Sequence, residues 1–391
     1  MKKRFLYYDL IKYLEHKNAL VVTGMRQVGK TTLLRQVFEE LNQPKLWFDL
    51  DNPLDQLFFE ETDYHAVYKK LSNEAGNLSG RLFVFLDEIQ NFPQITSIIK
   101  FLIDQYGIKF IVTGSSNFYL KNLFPESLSG RKFLFVLHPL SFREYLYFKE
   151  ESDLNQVSLF PDPTFQSRYH HEKYSFHYDQ FMEYGGFPEV CTTADHTLRR
   201  MILKNIFASF FEKDLRLLSD IKDIRELRDM ILLLVPRTGN MLDITRLAAE
   251  LGINRVKAYQ YIEFLQGVFF LQLVSKYSNS PDRSVAGGKK VYFSDTGLLN
   301  MIGKVNEGQL FENAVANQLI NYGRLTFYNK RNSSEIDFIL NDQIAVEVKK
   351  TGTPSDLIQL QENAKKLGIT KSYLISGKYL EMEGVISPVG I

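Results

Sequence analysis

Residues 24–31, Gly-Met-Arg-Gln-Val-Gly-Lys-Thr, fit G-x-x-x-x-G-K-[ST] at every fixed position. That spacing carries chemistry only between a strand and a helix. Ala19-Leu20-Val21-Val22-Thr23 reads as a short buried strand, and a helical pattern begins near Lys30. In that setting the glycines let backbone N–H groups face phosphate oxygens, and the helix N-terminus adds partial positive charge. The Lys30 ammonium is expected to reach the β- and γ-phosphates of a nucleoside triphosphate, and the Thr31 hydroxyl to ligate magnesium. The bland alternative is a chance glycine turn, which the flanking strand and helix disfavour.

A partner for this loop lies downstream. Leu82-Phe83-Val84-Phe85-Leu86-Asp87-Glu88 is an apolar strand ending in two acids. In a parallel sheet, ligands bind at the carboxyl ends of the strands, which puts Asp87 beside the loop as a magnesium ligand. Glu88 is expected to polarise an attacking water, and the second acid favours hydrolysis over binding alone. Further candidate strands are 45–50, 108–113 and 132–137, alternating with helical patterns up to about residue 150. Strand 108–113 ends in Thr113-Gly114-Ser115-Ser116-Asn117, where Ser115 is a candidate contact to phosphate or water. Arg131 is the candidate charge-neutralising arginine, for its own site or a neighbour's, with Arg26 in the loop as its rival.

The 391 residues are too many for one core, and the balance of 47 basic and 46 acidic residues gives no overall electrostatic pull on nucleic acid. A single cysteine, Cys191, excludes an intrachain disulfide and a cysteine metal cluster. The basic start Met1-Lys2-Lys3-Arg4 is broken by Asp9, Lys12 and Glu15, so no leader is expected. No stretch approaches the ~18 apolar residues of a membrane span. The expected compartment is the cytoplasm.

Beyond the first 150 residues, 151–178 is polar and proline-interrupted, with His170, His171 and His177 at no regular ligand spacing; it reads as a surface insertion. It leads into a helical segment ending near 215. Residues 243–254 and 255–266 then read as helix, turn at Gly252, and second helix, followed by apolar 268–274 and 290–293 as a β-wing. The expected partition is therefore 1–150, 151–215, 216–300 and 301–391. Arg246, Arg255, Lys257 and Lys276 are candidate phosphate contacts, although Tyr259, Tyr261 and Phe264 equally suit a protein-packing module.

Several segments together resemble a prokaryotic AAA+ group whose C-terminal half is catalogued as a domain of unknown function. They are Gly24 to Thr32, Leu86-Asp87-Glu88-Ile89-Gln90, Thr113-Gly114-Ser115-Ser116, Ser129-Gly130-Arg131 and Pro139-Leu140-Ser141-Phe142-Arg143-Glu144. Gly185-Gly186-Phe187-Pro188, Ser294-Asp295-Thr296-Gly297-Leu298 and Gly308-Gln309-Leu310-Phe311-Glu312 extend the likeness through nearly the whole chain. The resemblance implies ATP binding across Gly24, Met25, Arg26, Gln27, Val28, Gly29, Lys30, Thr31 and Thr32, an ASCE-type core, and a nuclease-like C-terminal fold.

The C-terminal region has its own acids. Ser334–Leu340 and Ile344–Lys349 alternate like half-buried strands around the turn Asn341-Asp342-Gln343. Matching their apolar faces sets Ile336, Phe338 and Leu340 across from Val348, Val346 and Ile344. That register puts Asp337 opposite Glu347, both on the other face, with Lys349 beside them. Facing carboxylates repel unless a divalent cation or the lysine intervenes. Glu312 adds a third acid on a largely apolar helix face. Glu312, Asp337, Glu347 and Lys349 resemble the constellation of the PD-(D/E)xK nucleases, in which the carboxylates bind magnesium and the lysine serves the water. Ile336 stands where proline often precedes the aspartate.

The expected architecture is α/β: a P-loop NTPase parallel sheet, a winged-helix unit and a restriction-endonuclease-like α/β domain. The expected activity is ATP hydrolysis with Mg2+, coupled to a C-terminal region acting on DNA. The alternative is a nucleotide-dependent switch with no second active site. Expected partners are ATP, DNA or a protein, and further copies of the chain through the AAA+ core.

Overall fold

The computed structural model describes residues 1–76, 80–114, 130–154, 159–211, 224–278, 287–330 and 334–391. Ser115, Ser116, Asn117 and Ser129 lie outside the described residues. The chain divides into two compact units, Met1–His138 with Gly267–Phe269, and Pro139–Gln266 with Phe270–Ile391.

The first unit is built on a five-stranded parallel sheet in the order β2-β3-β4-β1-β5. Its strands are β1 (Ala19–Thr23), β2 (Lys45–Asp49), β3 (Phe83–Asp87), β4 (Lys109–Gly114) and β5 (Lys132–Val136). Near-continuous apolar runs form β1, β3 and β4, which are buried throughout because both faces are covered. Its helices are α1 (Phe5–Ile11), α2 (Lys30–Glu40), α3 (Pro53–Phe59), α4 (Tyr64–Ala75) and α5 (Ile95–Tyr106). On one face, Val84, Leu86, Phe110 and Val112 pack with Phe59, Val67 and Leu71 and with Ile95, Ile99 and Leu102 of α5. On the other, Phe38 of α2 meets Trp47 and Phe85 edge-on. The strand order sets β4 between β1, which leads into the glycine loop, and β3, which ends in the acids.

The second unit contains a seven-stranded mixed sheet, β12-β11-β10-β9-β8-β6-β7. Its strands are β6 (Leu271–Lys276), β7 (Lys289–Phe293), β8 (Leu325–Lys330), β9 (Ser334–Leu340), β10 (Ile344–Lys349), β11 (Lys371–Ser376) and β12 (Val385–Ile386). β6 and β7, expected as the wing of a 216–300 module, pair antiparallel, and β6 continues parallel into β8. One sheet therefore spans the boundary expected at residue 300.

Helices α6 (Phe142–Phe148), α7 (Arg168–Tyr184), α8 (Pro188–Thr192) and α9 (His196–Ser209) open this unit. Then follow α10 (Ile224–Leu234), α11 (Ile244–Leu251), α12 (Arg255–Gly267), α13 (Thr296–Ile302), α14 (Glu307–Leu319) and α15 (Pro354–Lys366). α14 and α7 pack on one sheet face through Phe311, Val315, Tyr174 and Tyr178, against Phe338, Val346 and Val348. α15 covers the other through Leu357, Leu360 and Ala364, against Ile339 and Ala345.

The reading of 151–178 as a surface insertion does not hold. Phe165, Tyr174 and Tyr178 are core residues, and the histidines and charges occupy the remaining sides of α7. Gly252 ends α11 in the left-handed conformation, as expected of a turn glycine. The segment Pro139–Glu144 is structural: Ser141 and Glu144 form a capping box on α6, and Arg143 is buried against Asp162 at 3.0 Å. Among the described residues no helix is long and apolar enough to cross a membrane.

Candidate functional site

At the carboxyl edge of the first sheet, β1 passes into the glycine loop and the loop into α2. Gly24, at φ +147°, permits the tight turn, because a Cβ there would sit 2.1 Å from the Leu137 carbonyl oxygen. Gly29 caps α2 at φ +97° in open space, so its requirement is conformational and not steric. The Lys30 side chain is buried and curls back onto its own loop. It donates to the carbonyls of Gly24 at 3.0 Å and Met25 at 2.9 Å. Arg4 supports the loop from outside the motif, donating to the Val28 carbonyl at 3.1 Å and the His138 carbonyl at 2.9 Å. Nothing in the spacing of the motif points to a residue 24 positions upstream.

Asp87 and Glu88 lie at the end of β3. The Thr113 hydroxyl, at the end of β4, donates to Asp87 Oδ1 and accepts the Glu88 N–H at 3.0 Å. One hydroxyl therefore fixes both acids. Glu88 takes φ 54°, a strained conformation for a non-glycine residue, and its carboxylate accepts from the Gln90 amide. Burial pushes the Asp87 carboxyl above the usual range; the hydroxyls of Thr113 and Thr31 act against that, while Glu88 and Asp49 add to it. Asp49, at the end of β2, is the register partner of Asp87. The sequence reading missed Asp49, and in the polar run from Thr113 to Asn117 it named Ser115 and not Thr113. Asp49 and Thr113 both stand at the ends of strands it did find, which was the available signal.

Among the described residues no three His, Cys, Asp or Glu side chains converge as a metal cage. A magnesium ion held by one carboxylate, one hydroxyl and nucleotide phosphates needs none, and Thr31 beside Asp87 fits that donor set. Arg131 does not fit a role at its own loop. Its carbonyl accepts from Ala19 N at the opposite end of β1, roughly 16 Å along a five-residue strand. Its guanidinium is paired with Asp104 at 2.7 Å.

Residues 16–146 match the profile of an AAA domain. A solved Walker-type ATPase of Pyrococcus abyssi superposes with TM-score 0.51 at 14% identity, over 77% of this chain and 96% of that one. The first unit has the AAA-type P-loop ATPase fold. Downstream of this AAA-type core, residues 175–309 and 307–385 match two domains of unknown function, DUF8612 and DUF4143. An uncharacterized protein of Haemophilus influenzae is 28% identical over 395 residues, 95% of this chain and 92% of that one. Another, from Methanocaldococcus jannaschii, is 24% identical over 364 residues, covering 89% and 79% respectively.

The second unit brings Glu312, Asp337, Glu347 and Lys349 into one neighbourhood, by a route the sequence did not show. The β9–β10 ladder has the expected register at Ile344↔Leu340 and Val346↔Phe338 but goes no further. Beyond it the Asp337 carboxylate accepts the Val348 N–H at 2.9 Å. A register shift in the β8–β9 ladder lies between Thr326↔Ile339 and Tyr328↔Ile336. This bulge overturns the expected common face: Ile336 joins Ile339 beneath α15, while Phe338 packs on the α14 side.

Asp337 meets a cation that the sequence reading missed. Lys290, on β7, lies buried with its Nζ 3.7 Å from Glu312, 3.2 Å from Glu335 and 3.8 Å from Asp337. Burial pulls this ammonium's pKa down, but the three carboxylates outweigh it and hold it above the ordinary lysine value. Tyr292 OH donates to Glu312 at 2.6 Å, and Lys349 donates to Glu347 at 2.6 Å. Burial, reinforced by Asp337, pushes both Glu312 and Glu347 up to about 7. The acids expected to share a metal thus share lysines.

On α11 and α12, Arg246 pairs with Glu250 at 2.9 Å, Lys257 pairs with Glu226, and Arg255 donates to Tyr259 at 3.1 Å.

Proposed function

We propose that the chain hydrolyses ATP with Mg2+ at the edge of the first sheet. The Lys30 ammonium exchanges the Gly24 and Met25 carbonyls for β- and γ-phosphate oxygens, and the loop amides cradle the rest of the polyanion. Thr31 and Asp87 hold magnesium, which when bound neutralises charge on the phosphates. Glu88 takes up the proton of the attacking water or orients it, its position set by Thr113 and Gln90. The observation that carries this reading is the single Thr113 hydroxyl joining Asp87 to Glu88 beside a complete phosphate loop. Glu88→Gln should still bind ATP while phosphate release falls about 10²-fold or more. Unchanged release would remove Glu88 from the reaction.

For the second unit, the position of Lys290 favours the switch reading: a winged-helix-like binding module and an acid cluster without turnover, both governed by the nucleotide state. The ligand is DNA or a protein. The pairing of Arg246 and Lys257 with carboxylates reduces the charge available for phosphates. Incubating supercoiled plasmid with the chain, ATP and Mg2+ or Mn2+ should leave it intact. Nicking that disappears in Glu347→Ala would restore the nuclease reading. A role for Arg131 needs a contact between copies of the core; sedimentation of the ATP-bound chain as a monomer would remove it. The single cysteine, Cys191, is buried and suits a reducing cytoplasm.

A further inference from the structure

We infer that Lys290 is the resident cation of the Glu312–Glu335–Asp337 cluster, and that its ammonium keeps divalent metal out of this site. The inference extends the switch reading of the second unit and is independent of ATP hydrolysis in the first.

Lys290 is fixed in the β6–β7 ladder opposite Val274, so its side chain leaves a rigid strand at a set position. Its Nζ reaches three carboxylates from two elements, one on α14 and two on β9. Phe327 lies beneath it, with the ring centroid 5.4 Å from Nζ, so the ammonium is walled by an aromatic face as well as by acids. The bulge that turns β9 in this region leaves Asp337 as the common neighbour of Lys290 and Lys349.

A divalent ion does not fit the same space. Magnesium needs oxygen ligands near ~2.1 Å in octahedral order, and the ammonium already occupies the space between these carboxylates that such an ion would take. Part of the remaining capacity of the buried acids is also in use. Glu312 accepts from Tyr292, Asp337 from the Val348 N–H, and Glu347 from Lys349. Among the described residues no metal-holding group of three is formed. The arrangement is that of a buried, hydrogen-bonded charge network, in which removing the central cation leaves uncompensated carboxylates.

Manganese binding to the nucleotide-free chain tests this, read by the loss of free Mn2+ signal in electron paramagnetic resonance. Asp87→Asn is the background, so that the first unit contributes no metal site. That chain should show no Mn2+ binding dependent on Asp337, so adding Asp337→Asn should change nothing. Adding Lys290→Met should create one new equivalent of bound Mn2+, and Mn2+ should raise the melting temperature of that variant only. Lys290→Arg should keep metal out. A bound equivalent in the background chain that is lost with Asp337→Asn would overturn the inference, and this comparison needs no Lys290 variant to fold. So would a folded Lys290→Met chain that gains no binding. Failure of ATP hydrolysis would leave each of these readouts intact.

Discussion

Thr113 ties the acids of the first unit together, and its effect can be isolated. Thr113→Val keeps the shape of the side chain but removes the donor to Asp87 and the acceptor for the Glu88 N–H. Because the hydroxyl acts on the acids, kcat should fall while KM moves much less. The loss of a hydrogen bond to a charged group, about 1.5–3 kcal/mol, corresponds to roughly 10- to 100-fold in kcat. Steady-state phosphate release would measure it, and a rise in KM at constant kcat would give Thr113 a binding role instead. Residues with fixed local spacing were legible in the sequence: the phosphate loop, and Asp87-Glu88 at the end of an apolar run. Arg4, Thr113 and Lys290 were not, because each acts on groups 20 or more positions away, at contacts that only strand order and packing create.

At the scale of elements, the five strands of the first sheet were legible because each is a short apolar run between helical patterns. The β9–β10 hairpin was legible in register only next to its turn, as far as Val346↔Phe338, and not in its faces, since a bulge is a property of pairing with β8 and leaves no trace in alternation. α7 was misjudged because polar side chains cover most of its circumference.

The Gly185-Gly186-Phe187-Pro188 and Ser294–Leu298 segments prove to be one device. The Asp295 carboxylate accepts from Gly186 N at 2.7 Å and Leu298 N at 2.9 Å, in the space a Cβ on Gly185 would fill. Burial pushes its carboxyl from 3.8 up to about 6, with backbone donors at Gly186, Leu298 and Gly297 pulling the other way. A raised carboxyl favours the protonated folded state. Its contribution is therefore full below about pH 4 and lost as the pH rises through about 6, a change of ~3 kcal/mol. Urea melts should show the stability advantage of the parent chain over Asp295→Asn shrinking by that order between about pH 4 and about pH 7. A difference that stays flat would mean the group titrates alike in the folded and unfolded chain.

At the scale of the whole molecule, two sheets divide the chemistry. The parallel sheet gathers a phosphate loop and acids at one edge, as expected where βα connections deliver loops and helix N-termini together. The mixed sheet buries acids with lysines. The proposed ATP hydrolysis depends on the first of these, a buried lysine and a glycine loop at the sheet's edge. Titrating a fluorescent ATP analogue with Mg2+ into the parent chain and Lys30→Ala tests it most directly. The parent chain should bind saturably, and the variant should lose tenfold or more in affinity, about 1.4 kcal/mol per tenfold. Equal affinity in the two would contradict the account.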